Sequence, residues 1–241
     1  MEALLRGGRK GLGTPHRHYR STDSTNTRAR ELAAAGATHG TVVTADEQTA
    51  GRGRQGRSWT APAGKALLYS AILRPLDRRH LLLPLAVPLA VCEGAEELES
   101  GLECRIKWPN DVWVGESKLA GVLIEAKPQD GWAVIGVGLN LAILPHEFPS
   151  ELREKATSLS GDASPEQARH ALDRSLDRWV EADAGAILAA WRSRDALKGR
   201  GVSWNEGTGV AEGISDAGDL LVLSASGERV VLGAGEVHLR V

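Results

Sequence analysis

The stretch that decides the fold spans residues 51–59 and reads Gly-Arg-Gly-Arg-Gln-Gly-Arg-Ser-Trp, from Gly51 to Trp59. Its three arginines have no acidic residue among them, and the intervening glycines allow positive φ angles and close approach of the backbone to a ligand. Guanidinium groups bind phosphate or carboxylate through paired hydrogen bonds. The spacing matches neither a GxxxxGK(S/T) phosphate loop nor a GxGxxG turn before a helix. Taken alone, this stretch is compatible with an anion-binding loop or with a solvated basic segment that binds nucleic acid.

Apolar periodicity and turn residues predict helices and strands on both sides of this loop. Strands are predicted at 41–45, 66–73, 103–107, 112–114, 118–126, 132–141, 209–214, 218–223 and 230–232, and helices at 25–35, 80–98 and 165–197. Pro88 inside the second helix predicts a kink or a late start. The order indicates an α+β fold, in which helices pack on a mixed or antiparallel sheet and a small β-barrel follows.

The predicted division of the chain has three parts. Residues 1–18 are expected to form a mobile tail, with the first ordered strand near Tyr19. Residues 19–197 form the main domain, and residues 198–241 form the C-terminal β domain.

The bulk composition restricts the class of protein. The chain has 241 residues, a net charge of −2 and 42% hydrophobic residues, which is ordinary for a globular protein and gives no overall attraction to nucleic acid or anionic membranes. The apolar run 81–92 is too short to cross a bilayer. Cys92 and Cys104 form neither a disulfide framework nor a zinc motif, so a reduced, cytoplasmic location is expected.

Three further motifs carry polar residues at strand ends or glycines inside strands. Lys-Trp-Pro-Asn-Asp at 107–111 reads equally as a plain turn. Lys118 opens the apolar run 118–125, where a lone lysine is usually solvated. Gly-Val-Gly-Leu-Asn at 136–140 indicates either close approach of a ligand or a β-bulge.

In this order and spacing the motifs resemble those of the biotin–protein ligase family. The resemblance rests on Ser24-Thr25-Asn26, Gln48, the 51–59 loop and the motifs at 107–111, 118–125 and 136–140. The resemblance covers nearly the whole chain. Within the family, the chain resembles the class that has no N-terminal DNA-binding domain. It implies a sheet like that of class II aminoacyl-tRNA synthetases and biotin ligases, with a catalytic domain at 19–197 and an SH3-like barrel at 198–241. Gln55 and Ser58 depart from the residues most relatives carry.

The resemblance also implies an activity and its partners. Biotin would be activated with Mg–ATP to biotinyl-5′-AMP and then transferred to a lysine of a biotin carboxyl carrier protein, such as that of acetyl-CoA carboxylase. No DNA and no membrane partner is expected, and a homodimer through sheet edges is compatible with the family. The alternatives are a lipoate or octanoate ligase of the same superfamily, a nucleic-acid-binding protein that uses the Arg/Gly loop, and an inactive ligand-sensing module.

The resemblance assigns roles to individual residues. Catalysis is expected from Lys118, Arg52 and Arg54, with Lys118 as the main stabiliser of the transition state. Biotin is expected against Ser24, Thr25, Asn26, Gln48, Gly51, Arg52, Gly53, Arg54, Lys118, Gly121 and Gly138. ATP or the adenylate is expected against Arg52, Arg54, Arg57, Trp59, Asn110, Asp111, Lys118 and Asn140, with Mg²⁺ at Asp111. The 51–59 loop is expected to be mobile when empty and to order over the adenylate.

Overall fold

A seven-stranded mixed sheet forms the centre of the molecule. The computed structural model describes residues 11–160, 163–233, 235 and 237–239. The strands of this sheet are β1 (His16–Thr22), β2 (Val42–Gln48), β3 (Ala66–Leu73), β4 (Cys104–Lys107), β5 (Asp111–Val114), β6 (Ser117–Lys127) and β7 (Trp132–Asn140). They lie in the order β1-β2-β3-β7-β6-β5-β4, with β1 and β2 parallel and the other neighbours antiparallel.

Helices cover both faces of this sheet. They are α1 (Thr25–Ala34), α2 (Leu83–Leu98), α3 (Pro165–Val180) and α4 (Ala184–Ser193). Ala29 and Ala33 of α1 pack in one apolar cluster with Val43 of β2. The preceding Val42 belongs to a second cluster with Leu89 of α2. Because consecutive residues of a strand point to opposite faces, α1 and α2 lie on opposite sides of the sheet.

The C-terminal part is a separate antiparallel sheet of five strands. They are β8 (Gly201–Trp204), β9 (Gly207–Ile214), β10 (Leu220–Ser224), β11 (Arg229–Leu232) and β12 (His238–Leu239), in the order β11-β10-β9-β8-β12. The Trp108 indole Nε1 donates a hydrogen bond to the carbonyl of Gly218 at 3.0 Å. The turn between β4 and β5 is therefore tied directly to the C-terminal sheet.

The predicted α+β fold is confirmed, and β3 has the predicted bounds. The helix predicted at 80–98 begins at Leu83, after a 3-10 turn over Arg78–Leu82, and it continues through Pro88, so the late start expected at that proline is wrong. The single helix predicted at 165–197 is wrong. It ends at Val180, and the Asp183 carboxylate accepts a hydrogen bond from the backbone N–H of Ala186 at 2.9 Å, which caps a new helix, α4.

The N-terminal boundary also differs from the prediction. β1 begins at His16, and Leu12 is buried, with its backbone N–H donating to Asp177 Oδ1 at 2.7 Å. The part of the predicted 1–18 tail that the structure describes is therefore packed against α3, while residues 1–10 lie outside the described residues. None of the helices in the described ranges combines the length and apolarity that a bilayer crossing requires.

Candidate active site

A pocket opens on the α1 side of the sheet, beneath the loop at 51–59. β7 supplies its floor at Gly136 and Gly138, which point to the same face as Val134, a residue of the α1 cluster. The rest of its wall comes from the start of α1, the loop, the β4–β5 turn and β6. Its lining is Ser24, Thr25, Asn26, Gln48, Arg52, Gly53, Arg54, Gln55, Arg57, Ser58, Trp59, Lys107, Trp108, Pro109, Asn110, Asp111, Lys118, Gly121, Val122, Leu123, Gly136, Val137, Gly138, Gly235 and Val237.

The loop itself is folded back as a narrow hairpin. The Trp59 N–H donates to the carbonyl of Gly51 at 2.9 Å, and the Gly53 N–H donates to the carbonyl of Arg57 at 2.6 Å. Gln55 at the tip has a φ of 54°, a left-handed conformation that non-glycine residues adopt only in tight turns. The hairpin carries its arginines over the pocket. The expected mobility of the empty loop stays a prediction.

A chain of buried and partly buried polar groups lies at one end of the pocket. Gln48 Oε1 accepts from the backbone N–H of Thr25 at 2.7 Å, and Ser70 Oγ lies 2.8 Å from Thr25 Oγ1. Ser70 also donates to Asn26 Oδ1 at 2.6 Å. Ser24 stands at the N-cap of α1 but makes no capping hydrogen bond with its side chain. This end of the pocket therefore presents polar groups that suit an amide or ureido group.

The Trp59 indole packs against glycines of two adjacent strands, β6 and β7. A methyl group at Gly138 would come within 2.3 Å of Trp59 Cε2, and one at Gly121 within 3.0 Å of its Cζ3. The indole Nε1 is buried, with no hydrogen-bond partner in the described part of the chain. These glycines are therefore required for the indole to lie on the sheet. The expected contact between Trp59 and adenine stays a prediction.

The pocket has a surplus of positive charge. Among the described residues, its lining holds one carboxylate, Asp111, and five cationic side chains, which are Arg52, Arg54, Arg57, Lys107 and Lys118. Lys118 Nζ lies 2.6 Å from Asp111 Oδ1. Burial lowers the pKa of Lys107, with Lys118 and Arg57 acting in the same direction and Asp111 opposing them. Cations that destabilise one another in a partly buried site favour an incoming polyanion.

The structure brings most of the predicted site residues together, with two exceptions. Gly51 and Asn140 do not line the pocket. Asn140 donates through Nδ2 to the carbonyl of Thr157 at 2.8 Å, so its amide holds a neighbouring segment. Asn110 lines the pocket, but its Nδ2 donates to the carbonyl of Val122 at 2.7 Å and fixes the turn against β6.

Sequence reasoning missed four residues that contribute to the site. Lys107 and Gly136 stand inside the quoted motifs without an assigned role, and Glu125 ends one of them. Ser70 is fully buried and is the sole polar group besides Tyr69 in the apolar run of β3. A polar residue in a strand that is otherwise buried and apolar was the available signal for Ser70.

Asp111 does not form a complete metal site with the other protein side chains that the structure describes. Its carboxylate is already paired with Lys118, and the described ranges contain no group of three or more His, Cys, Asp or Glu side chains arranged to hold a metal. Mg²⁺ usually needs only one or two carboxylates when phosphate oxygens supply further ligands, so the expected Mg²⁺ at Asp111 stays a prediction.

The fold and the pocket define an α+β protein. Its site has hydrogen-bonded polar side chains at one end, the Trp59 indole packed against glycines of the sheet, and a cluster of cationic side chains. The sequence profile of the biotin/lipoate A/B protein ligase family matches residues 18–141. The biotin–[acetyl-CoA-carboxylase] ligase of Mycobacterium tuberculosis is 37% identical over 240 residues, covering 91% of this chain and 87% of that protein. The chain belongs to the biotin/lipoate A/B protein ligase family.

Two further relatives cover the chain to different extents. The bifunctional ligase/repressor BirA of Bacillus subtilis is 43% identical over 143 residues, and the match spans 57% of this chain but only 43% of the length of that relative. The solved biotin protein ligase of Aquifex aeolicus, in complex with biotin and ATP, has a TM-score of 0.78 at 30% identity and covers 93% of this chain and 98% of that one.

Proposed function

We propose that this protein activates biotin with ATP to biotinyl-5′-AMP and transfers the biotin to a lysine of a biotin carboxyl carrier protein. The observation that carries the proposal is the pocket itself, in which the polar Gln48–Thr25–Ser70–Asn26 chain lies at one end and the Lys118–Asp111 pair at the other. The Aquifex aeolicus neighbour, which holds biotin and ATP, supports this choice of ligands.

In the first step two anions must meet. A carboxylate oxygen of biotin attacks the α-phosphorus of ATP, a P–O bond forms, and the bond to pyrophosphate breaks. Two like charges about 4 Å apart repel by roughly 4 kcal/mol at an effective dielectric constant of 20. The cationic side chains of the pocket offset this repulsion, and Lys118 is the group we assign to the negative charge on the non-bridging oxygens of the α-phosphate.

In the second step the carrier lysine attacks the acyl carbon of the adenylate. A C–N bond forms, the C–O bond to AMP breaks, and the amine releases a proton to solvent. Asp111 is the one carboxylate among the described residues that line the pocket, so it is the group best suited to accept a hydrogen bond from the incoming amine. The hairpin at 51–59 excludes water from the labile mixed anhydride between the two steps.

The test is ATP–pyrophosphate exchange by the purified protein, measured with biotin, lipoate or octanoate as the added carboxylic acid substrate. Exchange that requires biotin, followed by biotin transfer to a carrier domain, is the expected result. If exchange requires lipoate or octanoate and does not occur with biotin, that acid is the substrate in place of biotin. Salt-sensitive DNA binding, together with no exchange in the presence of any of these three acids, would reject the enzymatic proposal in favour of a nucleic-acid role for the loop.

The partner and the location belong to the same proposal. The name of the Mycobacterium tuberculosis relative supports the carrier of acetyl-CoA carboxylase as the acceptor. Cys92 and Cys104 are free and buried, which supports a reducing, cytoplasmic location. A homodimer through a sheet edge stays a prediction, with the outer strand β1 as one available edge.

A further inference from the structure

We infer that Glu125 is a positioning residue that anchors the arginine hairpin to the sheet through Arg52, so that Arg52 holds the loop and Arg54 is left to bind the ligand. The consequence for biotin binding rests on the proposed function, whereas the anchoring of the hairpin does not.

Glu125 is the meeting point of three parts of the molecule. It lies on β6, and its Oε2 accepts from Asn26 Nδ2 at 2.8 Å and from Arg52 Nη2 at 2.9 Å. Its Oε1 accepts from Arg30 Nη1 at 2.8 Å. One carboxylate therefore joins the start of α1, the strand β6 and the base of the hairpin.

The surroundings keep this carboxylate charged. Burial by itself would raise the pKa of Glu125, but the hydrogen bonds from Asn26 and Arg30 and the charge of Arg52 leave it below the ordinary glutamate value. The side chain is only 23% exposed. Ion pairs that are partly shielded from water and carry more than one hydrogen bond hold their geometry better than isolated surface pairs.

Asn26 extends the anchor into the pocket. Its Nδ2 is held by Glu125 and its Oδ1 by Ser70, so the orientation of the amide is fixed from both sides. A methyl group at Gly136 would lie 2.2 Å from Asn26 Oδ1, which means that the amide crosses the floor strand directly above this glycine. The contacts that position the hairpin and those that shape the polar end of the pocket therefore share one carboxylate.

The two neighbouring arginines of the hairpin differ in their partners. Arg52 is engaged by Glu125, so its guanidinium would have to leave an ion pair to reach a ligand. Arg54 also lines the pocket, and within the described residues its guanidinium makes no hydrogen bond or ion pair. Burial, together with Arg57, lowers the pKa of Arg54, while Asp111 opposes them. This division revises the expectation that Arg52 is catalytic and lies against biotin and the adenylate.

The first test needs no substrate. Trypsin cleaves after arginine, so the rate of cleavage after Arg54 and Arg57 in the ligand-free protein reports how firmly the hairpin is held. Glu125→Gln should raise that rate about three- to tenfold, the range expected for loss of one partly buried charged contact. Arg52→Gln should do the same, and the double variant should be no worse than either single one.

Two controls separate anchoring from general loosening. Arg30→Gln removes the other arginine from the same carboxylate and should leave the hairpin protected. Glu116→Gln breaks an ion pair with Arg200 outside the pocket and should also leave it protected. An unchanged rate in Glu125→Gln, an equal rise in Arg30→Gln, or additive effects in the double variant would overturn the proposal. If Glu125→Gln does not fold, Arg52→Gln decides the same question.

The second test uses kinetics. In biotin-dependent exchange, Glu125→Gln should raise the KM for biotin about three- to tenfold and leave kcat within about twofold, because binding then has to order the hairpin. A loss of kcat with unchanged KM would overturn the positioning role. If the wild-type protein shows no biotin-dependent exchange, the proposed function is rejected. The proteolysis experiment would still test whether Glu125 anchors the hairpin through Arg52.

Discussion

Replacement of Lys118 by alanine is the perturbation that the site geometry makes most informative. Lys118 Nζ lies 2.6 Å from Asp111 Oδ1, and the side chain is 31% exposed. The backbone at this position is held independently, since its N–H donates to the carbonyl of Lys155 at 2.7 Å and its carbonyl accepts from the Thr157 N–H at 2.9 Å. Removal of the side chain should therefore leave β6 in place.

The expected loss of activity is much larger than the expected loss of stability. Removal of one preorganised donor to a developing charge costs about 10²- to 10³-fold in rate, or roughly 2.7–4 kcal/mol. Loss of a partly exposed ion pair costs about 1 kcal/mol or less in unfolding free energy. For a chain of this size that lowers the Tm by only about 2–4 °C. Lys118→Ala should therefore be a folded protein with very slow adenylation.

The assay pairs biotin-dependent ATP–pyrophosphate exchange with thermal unfolding. Lys127→Ala is the matched control, because Lys127 is on the same strand, is 53% exposed and pairs with Asp130 at 3.7 Å outside the pocket. The control should exchange at the wild-type rate. An exchange rate for Lys118→Ala within a few-fold of wild type, at a similar Tm, would refute the assignment of this lysine to the transition state.

Three other perturbations follow from the geometry of the site. Gly138→Ala places a methyl group 2.3 Å from Trp59 Cε2 and should displace the indole, with a cost of about 1–3 kcal/mol in unfolding free energy and a raised KM for biotin; an unchanged KM would contradict this. Arg54→Gly should release the adenylate early and label bystander lysines, which mass spectrometry of mixed proteins would detect; normal selectivity at a normal rate would reject the lid role. Hydrogen bonding from Arg28 lowers the pKa of Asp23 to about 2 against an ordinary value of 3.8. Because this folded-state pKa is depressed, the stabilisation is complete above the ordinary value and is lost as the pH falls towards about 2. The unfolding free energies of wild type and Asp23→Asn should differ above pH 5 and converge on acidification, and a constant difference would contradict the assignment.

Much of the fold was accessible from local sequence because the decisive strands are short apolar runs between clear turn residues. The run 66–73 is apolar except for two positions and became β3 with the predicted bounds. The break at 181–183 was missed because apolar residues continue beyond it at helical spacing, whereas the cap at Asp183 depends on one side-chain hydrogen bond. The four-residue β8 and two-residue β12 are too short to show a period.

The site was predictable to the extent that its residues stand in motifs. The motifs identify which residues lie close together in the site, but they do not identify the residue with which each charged side chain pairs. Arg52 and Glu125 are 73 positions apart, and no local pattern links them. Asn140 likewise looked like a ligand residue in its motif, but its amide serves the segment at Thr157. These pairings depend on the tertiary structure, which places three hydrogen-bond donors around the Glu125 carboxylate.

In the proposed reaction, this pocket joins biotin to a nucleotide beneath the arginine hairpin. A crystal structure of the protein grown with biotin and ATP tests it most directly. We expect biotinyl-AMP in the pocket, with the biotin ring system against Gln48 and Ser24 and with Lys118 Nζ within hydrogen-bond distance of the acyl phosphate. The hairpin should lie over the bound adenylate. An empty pocket at saturating ligand, or a nucleotide bound elsewhere, would contradict the account.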